Sequence, residues 1–310
     1  MTLVVGYAAD GRSAATIHLA ALLARSLHEP VVVAAVVPAA PLPSMARVDE
    51  EYREYTRAEA EHALAQARKV MPDDIDATYV VQEARSSSSG LLALAEKHDA
   101  SLIVLGSSSA GVFGHVALGS VTSRLLYSSP IPVALAPRGF RIRAGDVVTR
   151  VTAAYDGSAH QDELVLAAAA VAASVGASLR LSAFAVRVPA AYTTRLGTEG
   201  DAPIEAEWTA AVERETAAAL KRVAALPEVP DTVESVIGYG RTWAEALDDV
   251  EWLPNDVLTI GSSSAGPIAR VFLGSRAAKI VRHSPVPVVV VPRSAAERIV
   301  DEAEREVVAD

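Results

Sequence analysis

The chain has 310 residues, a formal charge of −10 at pH 7, 51% hydrophobic and 5% aromatic content, and no cysteine. That length accommodates two domains of ordinary size. The missing cysteines exclude disulfides and thiolate-held metals, and the acidic balance argues against general affinity for nucleic acid or anionic lipid.

In chain order, Thr2 to Gly6 reads as a first strand, breaking into a turn at Tyr7-Ala8-Ala9-Asp10 before helix periodicity over Ala14 to Leu27. Pro30 to Val37, almost wholly Val and Ala, predicts a central strand buried on both faces. A proline-rich loop follows, then a charged helix over Asp49 to Met71. Asp76 to Val81 is the third strand, Ser89 to His98 a short helix and Ser101 to Leu105 the fourth strand. A Gly106 to Gly119 loop leads into a helix opening at Gly119-Ser120, stopped by Ser129-Pro130, and Pro132 to Ala136 is the last strand. Strands alternating with helices predict a parallel sheet with right-handed crossovers.

The order then recurs. Gly106 to Arg138 begins GSSSAG, and so does Gly261 to Arg293; Gly119-Ser120 falls on Gly274-Ser275, Ser129-Pro130 on Ser284-Pro285, and Pro137-Arg138 on Pro292-Arg293. An internal duplication accounts for this spacing. In the second copy, strands are expected over Val151 to Tyr155, Ser178 to Val186, Thr232 to Gly238, Asn255 to Ile260 (ending in a turn at Gly261) and Val286 to Val291. Helices are expected over His160 to Val175, Ile204 to Leu226 and Thr242 to Val250, with another opening at Gly274-Ser275. The expected division is 1–138, a linker over 139–147, 148–293, and an acidic amphipathic tail helix over 294–310. No span of about 18 uncharged apolar residues occurs, and no signal-peptide pattern precedes Thr2. A soluble, cytoplasmic protein without membrane or nucleic-acid partners is therefore expected.

A strand, a Tyr155-Asp156-Gly157-Ser158 turn, an Ala-rich helix, then Gly261, Ser264 and Gly274-Ser275 before a helix and a Pro-Val-rich last strand resemble the universal stress protein family. The likeness runs over nearly the whole chain twice, as in a tandem two-domain member. It implies an α/β fold of the adenine nucleotide alpha hydrolase-like kind. Each domain would hold a five-stranded parallel sheet ordered 3-2-1-4-5, flanked by helices, with last strands pairing two domains. Some members bind ATP through the first turn and the glycine motif; others bind no nucleotide.

Sheet geometry selects the same place, because ligands of open parallel sheets settle beyond the carboxyl ends of the strands where the order reverses. The expected nucleotide site is Tyr155, Asp156, Gly157, Phe184, Gly261, Ser262, Ser264, Gly266, Gly274, Ser275 and Arg276. A weaker copy would use Gly106, Ser107, Ser109, Gly119, Ser120 and Val121. The ligand would be ATP or a related adenine nucleotide, with Mg2+. Helix-start N–H groups would cradle phosphates. Two readings stand for several residues: Asp156 bonds a ribose or closes an Asp-Gly turn; Arg276 and Arg270 neutralise phosphates or are solvated; Phe184 lines an adenine slot or belongs to the core. Ser109 and Ser264 stand where the family's ATP-binding pattern has glycine. The first copy has Ala8 opposite Asp156, Val121 opposite Arg276 and His115 opposite Arg270.

The seven His residues show no metal-ligand spacing, and Gly238-Tyr239-Gly240 is too short for a dinucleotide fingerprint. With no poised nucleophile or base, an enzyme is unsupported, a weak ATPase included. The expected function is a non-catalytic stress-response sensor or regulator. The last strands are expected to pair the domains within the chain, and a homodimer is expected. The alternative is an interaction module that binds no nucleotide and works through dimerisation and the tail helix.

Overall fold

The computed structural model describes residues 1–8, 14–39, 46–108, 113–157, 161–186, 201–264 and 271–309; for 46–49, 201–206, 263–264, 271–272 and 306–309 it describes the backbone alone. The first half contains β1 (Thr2–Gly6), α1 (Ala14–Leu27), β2 (Val31–Pro38), α2 (Ala46–Val70), β3 (Ala77–Ala84), α3 (Ser87–Lys97), β4 (Ala100–Gly106), α4 (Ser120–Ser128) and β5 (Val133–Ala136). The second contains β6 (Arg150–Ala154), α5 (Asp162–Ser174), β7 (Ser178–Val186), α6 (Asp201–Val223), β8 (Val233–Gly240), α7 (Trp243–Asp248), β9 (Asp256–Ser264), β10 (Val271–Phe272), α8 (Ser275–His283), β11 (Val288–Pro292) and α9 (Arg293–Ala309).

Ten strands form one path in the order β3-β2-β1-β4-β5-β11-β9-β6-β7-β8. Each half therefore has the order 3-2-1-4-5, and neighbours within a half run parallel. At the middle, β5 and β11 pair antiparallel, with Val288 opposite Leu135 and Val290 opposite Val133. This covers the Val-rich rim that each half would otherwise present as an open template for other strands.

The composition explains the layers. β1, β2, β4, β5, β6 and β11 are buried on both faces, as strands of a parallel sheet covered by helices must be. One face of the sheet packs against α1, α2, α5, α6 and α9, through Leu19, Leu22, Ala63, Ala168, Ala219 and Ala296 among others. The other packs against α3, α4, α7 and α8, through Leu91, Leu125, Leu247 and Ile280. Small Ala side chains on α1 and α5 let those helices lie close to the strands.

The repeated Ser-Pro steps behave alike. Ser129 and Ser284 are both buried, and each hydroxyl donates to the carbonyl two residues on, Ile131 at 2.6 Å and Val286 at 2.8 Å. Each also accepts that residue's N–H. A short polar side chain thus satisfies the backbone where proline ends a helix and the strand has not yet begun.

One expectation is corrected. β9 does not turn at Gly261: it continues to Ser264 and pairs antiparallel with β10, Phe272 opposite Ser263 and Val271 opposite Ser264. Gly261 and Ser262 lie within the ladder beside Val291 and Pro292 of β11. The physical reason is that β11 extends to Pro292 and offers Gly261 and Ser262 a partner, so the glycine does not have to break the strand.

Candidate functional site

At the order reversal of the second half, β6 and β9 lie side by side, with Ala153 beside Thr259. The turn after β6 holds Tyr155, Asp156 and Gly157. Gly157 has φ +83°, the left-handed region that favours glycine, and a Cβ there would also sit 3.4 Å from the Glu215 Cβ. The Asp156 N–H donates to Gln161 Oε1 at 2.7 Å, which fixes the turn against the start of α5.

Gly274 is the N-cap of α8 and Ser275 its first residue. No side chain caps this end, and a Cβ built on Gly274 would meet nothing within 4 Å. Among the described residues, then, no side chain caps the first N–H groups of α8, which carry the positive end of the helix dipole. Arg276, in the first turn, reaches back so that its Nη1 lies 3.7 Å from Asp156 Oδ2, with both side chains well exposed. A cation, a carboxylate and a bare helix start, drawn from residues far apart in sequence, thus share one edge of the crevice.

Other expected residues are placed differently. Tyr155 is buried, its hydroxyl 3.4 Å from Asp162 Oδ1 and 3.5 Å from the Glu215 carbonyl. Burial, with the Asp162 carboxylate beside it, pushes that hydroxyl up to about 12. Phe184 packs at the edge of the core cluster that contains Ala154, Leu258 and Ile260, together with Ala277 and Ala278 of α8. Ser262 is buried and its hydroxyl donates to the Val291 carbonyl at 3.4 Å. Gly266 lies outside the described residues, and Ser264 is described by its backbone alone.

In the first half, Gly106 closes β4 beside Ala136. Ser107 accepts the Ala117 N–H at 2.7 Å, and the Ser108 N–H donates to the Ala117 carbonyl, so the loop is stitched to itself. Gly119 caps α4 with its backbone alone, as Gly274 does, and Ser120 is the first helical residue. Val121 packs against the core where α8 has Arg276. Ser109 lies outside the described residues.

Two features escaped the sequence reading. The first is a buried charge cluster at the opposite end of the second half's strands. Asp256 is fully buried and accepts from Arg150 Nη2 at 2.7 Å and from the Leu253 N–H at 2.8 Å. Arg180, also buried, lies 3.7 Å from the same carboxylate, donates to the Glu251 carbonyl at 2.6 Å and stacks 4.8 Å over the Trp252 ring. Arg150 adds a 2.8 Å contact to Glu234. The available signal was charge inside otherwise apolar strands. The second is the role of Gly238 and Gly240: a Cβ on Gly238 would stand 2.1 Å from the Ala246 carbonyl oxygen, and one on Gly240 2.4 Å from the Ala246 nitrogen. Both glycines let α7 lie directly on β8.

Among the described residues, no group of three or more His, Cys, Asp or Glu could hold a metal ion, and no helix is long and apolar enough to cross a membrane.

A doubled 3-2-1-4-5 α/β sheet with a bare helix start at the order reversal defines a class, and comparison with known proteins gives its family. The universal stress protein family model matches residues 1–137 and again 148–292, so the chain belongs to that family. Universal stress proteins of Mycobacterium tuberculosis and Mycobacterium bovis are each 37% identical over 296 residues, covering 94% of this chain and all of theirs. Among solved structures, a universal stress protein from Archaeoglobus fulgidus aligns with a TM-score of 0.56 at 20% identity, over 94% of this chain and 98% of its own. One described as a putative universal stress protein from Pseudomonas aeruginosa aligns at 0.53 and 14% identity, over 97% of each chain. These two structural likenesses speak to the fold.

Proposed function

We propose that this protein is a non-catalytic cytoplasmic regulator whose second unit, residues 148–293, binds an adenine nucleotide, ATP with Mg2+ being the expected form. The observation that supports this is the side-chain-uncapped start of α8 at Gly274, with Arg276 and Asp156 on its flank. A Cβ built on Gly274 meets nothing within 4 Å among the described residues, which supports placing a phosphate beside this helix start. In this reading the N–H groups following Gly274 hold phosphate oxygens, Arg276 exchanges Asp156 for phosphate charge, and Asp156 turns to the ribose hydroxyls. Occupancy at millimolar nucleotide requires only about −4 kcal/mol, which a few charge-assisted contacts supply. The first unit, residues 1–138, has Val121 in place of that arginine and a loop closed on Ser107, and is assigned a weaker site. Residues 139–147 serve as the linker between the units.

Equilibrium dialysis against millimolar ATP, with and without Mg2+, tests the proposal. Retention of about one nucleotide per chain, reduced in both Asp156→Ala and Arg276→Ala, is expected. No retention by the intact protein would end it. ADP production in proportion to protein would overturn the non-catalytic part.

A second reading is favoured by α9. Its apolar face packs on α5, β9 and β11, while Asp301, Glu302 and Glu304 are exposed. In that reading the protein is an interaction module working through homodimerisation and the tail, 294–310. It predicts that the intact protein retains no nucleotide and that deleting 294–310 abolishes partner capture.

A further inference from the structure

A cavity of about 550 Å³ lies between the two halves, on the sheet face covered by α1, α5 and α9. This volume falls within the about 300–1,000 Å³ typical of small-molecule sites. Its walls come from both units: Leu23 and Leu27 of α1, Ile131 before β5, Val171 of α5, Val289 of β11 and Ile299 of α9. Among the described residues, none that lines it is aromatic. A flat ring would find nothing to stack on, whereas a flexible aliphatic chain would find Leu, Val and Ile contacts along its length. The space exists because α9 covers β9 and β11 on one side of the central pair, and the first half has no equivalent helix. There the segment after β5 runs on as the linker, held by Phe140 and Ile142 against the core and by the Val148 N–H donating to Ser26 Oγ at 2.8 Å.

Polar groups gather at the mouth. Glu29 accepts from Ser101 Oγ at 2.5 Å, and Asp99 and Glu302 also line the cavity. Against these three carboxylates are Arg298, whose Nη2 donates to the Pro130 carbonyl at 3.1 Å, and the amino terminus at Met1. The balance is acidic. It repels an anionic head group, while hydroxyls can donate to the carboxylates and accept from the guanidinium.

We propose that this inter-unit cavity binds a single-chain aliphatic amphiphile with an uncharged, hydroxylated head, of the chemistry of a monoacylglycerol. The site is separate from the crevice at α8 and needs no nucleotide. Titration calorimetry of the full chain with 1-monoacylglycerols from hexanoyl to dodecanoyl tests it. Saturable one-to-one binding is expected, with Kd falling about fourfold for each added methylene until the cavity is full. Dodecanoate, the anion of the same chain length, should bind more weakly than the dodecanoyl ester. Ala168→Leu places extra methyl groups in the cavity and should weaken the longest ester about tenfold or more, and Glu302→Lys, on the exposed rim, should strengthen dodecanoate several-fold. Binding without chain-length dependence, no saturation, or dodecanoate equal to its ester would overturn the proposal. If Ala168→Leu does not fold, the Glu302→Lys result decides, and an unchanged preference in that variant refutes the site. ATP retention in the dialysis above should be the same in both folded variants, so failure of one proposal is distinguishable from failure of the other.

Discussion

Replacing Asp256 should destabilise this protein far more than replacing Arg180 beside it. Asp256 is fully buried, and two guanidinium groups lie against it, Arg150 at 2.7 Å and Arg180 at 3.7 Å. Arg150 has a second carboxylate, Glu234. Arg180 has the Glu251 carbonyl and the Trp252 ring, but its Nε and Nη2 make no hydrogen bond among the described residues. In Asp256→Ala both cations stay buried and the Leu253 N–H loses its acceptor. Breaking a buried pair in this way costs about 3–5 kcal/mol, and at about 2–4 °C per kcal/mol for a domain of this size the melting temperature should fall by about 10 °C. Asp256→Asn keeps the shape and removes the charge, and should cost nearly as much. Arg180→Met removes a poorly satisfied cation and should cost about 1 kcal/mol or less, and it should recover part of the loss when combined with Asp256→Ala. Urea unfolding followed by tryptophan fluorescence, with Trp252 beside the cluster, reads all four proteins. A change under about 1 kcal/mol in Asp256→Ala would refute the reasoning, since a desolvated charge cluster cannot lose its central anion so cheaply.

Glycine replacements should separate close packing from open space. Gly238→Ala drives a methyl group into the Ala246 carbonyl and should cost at least about 1–3 kcal/mol in urea unfolding, whereas Gly274→Ala, whose Cβ meets nothing within 4 Å among the described residues, should cost no more than about 1 kcal/mol, that of a weaker N-cap. Acid should weaken the fold through two histidines. Burial first, and then Arg141, lowers His18, while burial, then His115 and Arg282, lowers His283, both from an ordinary 6.5. Because the unfolded chain takes up these protons at higher pH than the folded one, the stability they contribute is present above about pH 6.5 and lost as pH falls through their lowered values. Melting temperatures between pH 7 and 5 should fall less steeply in a His18→Gln, His283→Gln double variant, and an unchanged slope would contradict the assignment. Spectrophotometric titration should find Tyr155 still protonated until about pH 12, with its absorbance change missing in Tyr155→Phe.

Much of the fold was legible because its signals are local. Val31 to Val37 can only be a strand buried on both faces, and the duplicated Gly-Ser and Ser-Pro steps mark the same boundaries in both halves. Of the candidate site's geometry, one meeting was legible: Asp156 and Arg276 lie 3.7 Å apart, because strand order determines which loops converge there. The continuation of β9 past Gly261 was not legible, since it depends on β11 supplying a ladder partner from later in the chain. Nor was the burial of Tyr155, whose position beside the Asp-Gly turn suggested a ligand contact. The cluster of Arg150, Arg180 and Asp256 was not legible either, because no single strand reveals that its neighbours carry the complement. Gly238 and Gly240 showed a recognisable spacing, but the cause, a helix lying on the strand, is tertiary.

Because β5 and β11 lie on one polypeptide, the two crevices are inherited as separate stretches of sequence and need not be identical. In an assembly of two identical chains, any change in one pocket would appear in both. Here each pocket can drift without dragging the other along. Asp156 and Arg276 in the second half, aligned with Ala8 and Val121 in the first, are differences that such freedom permits.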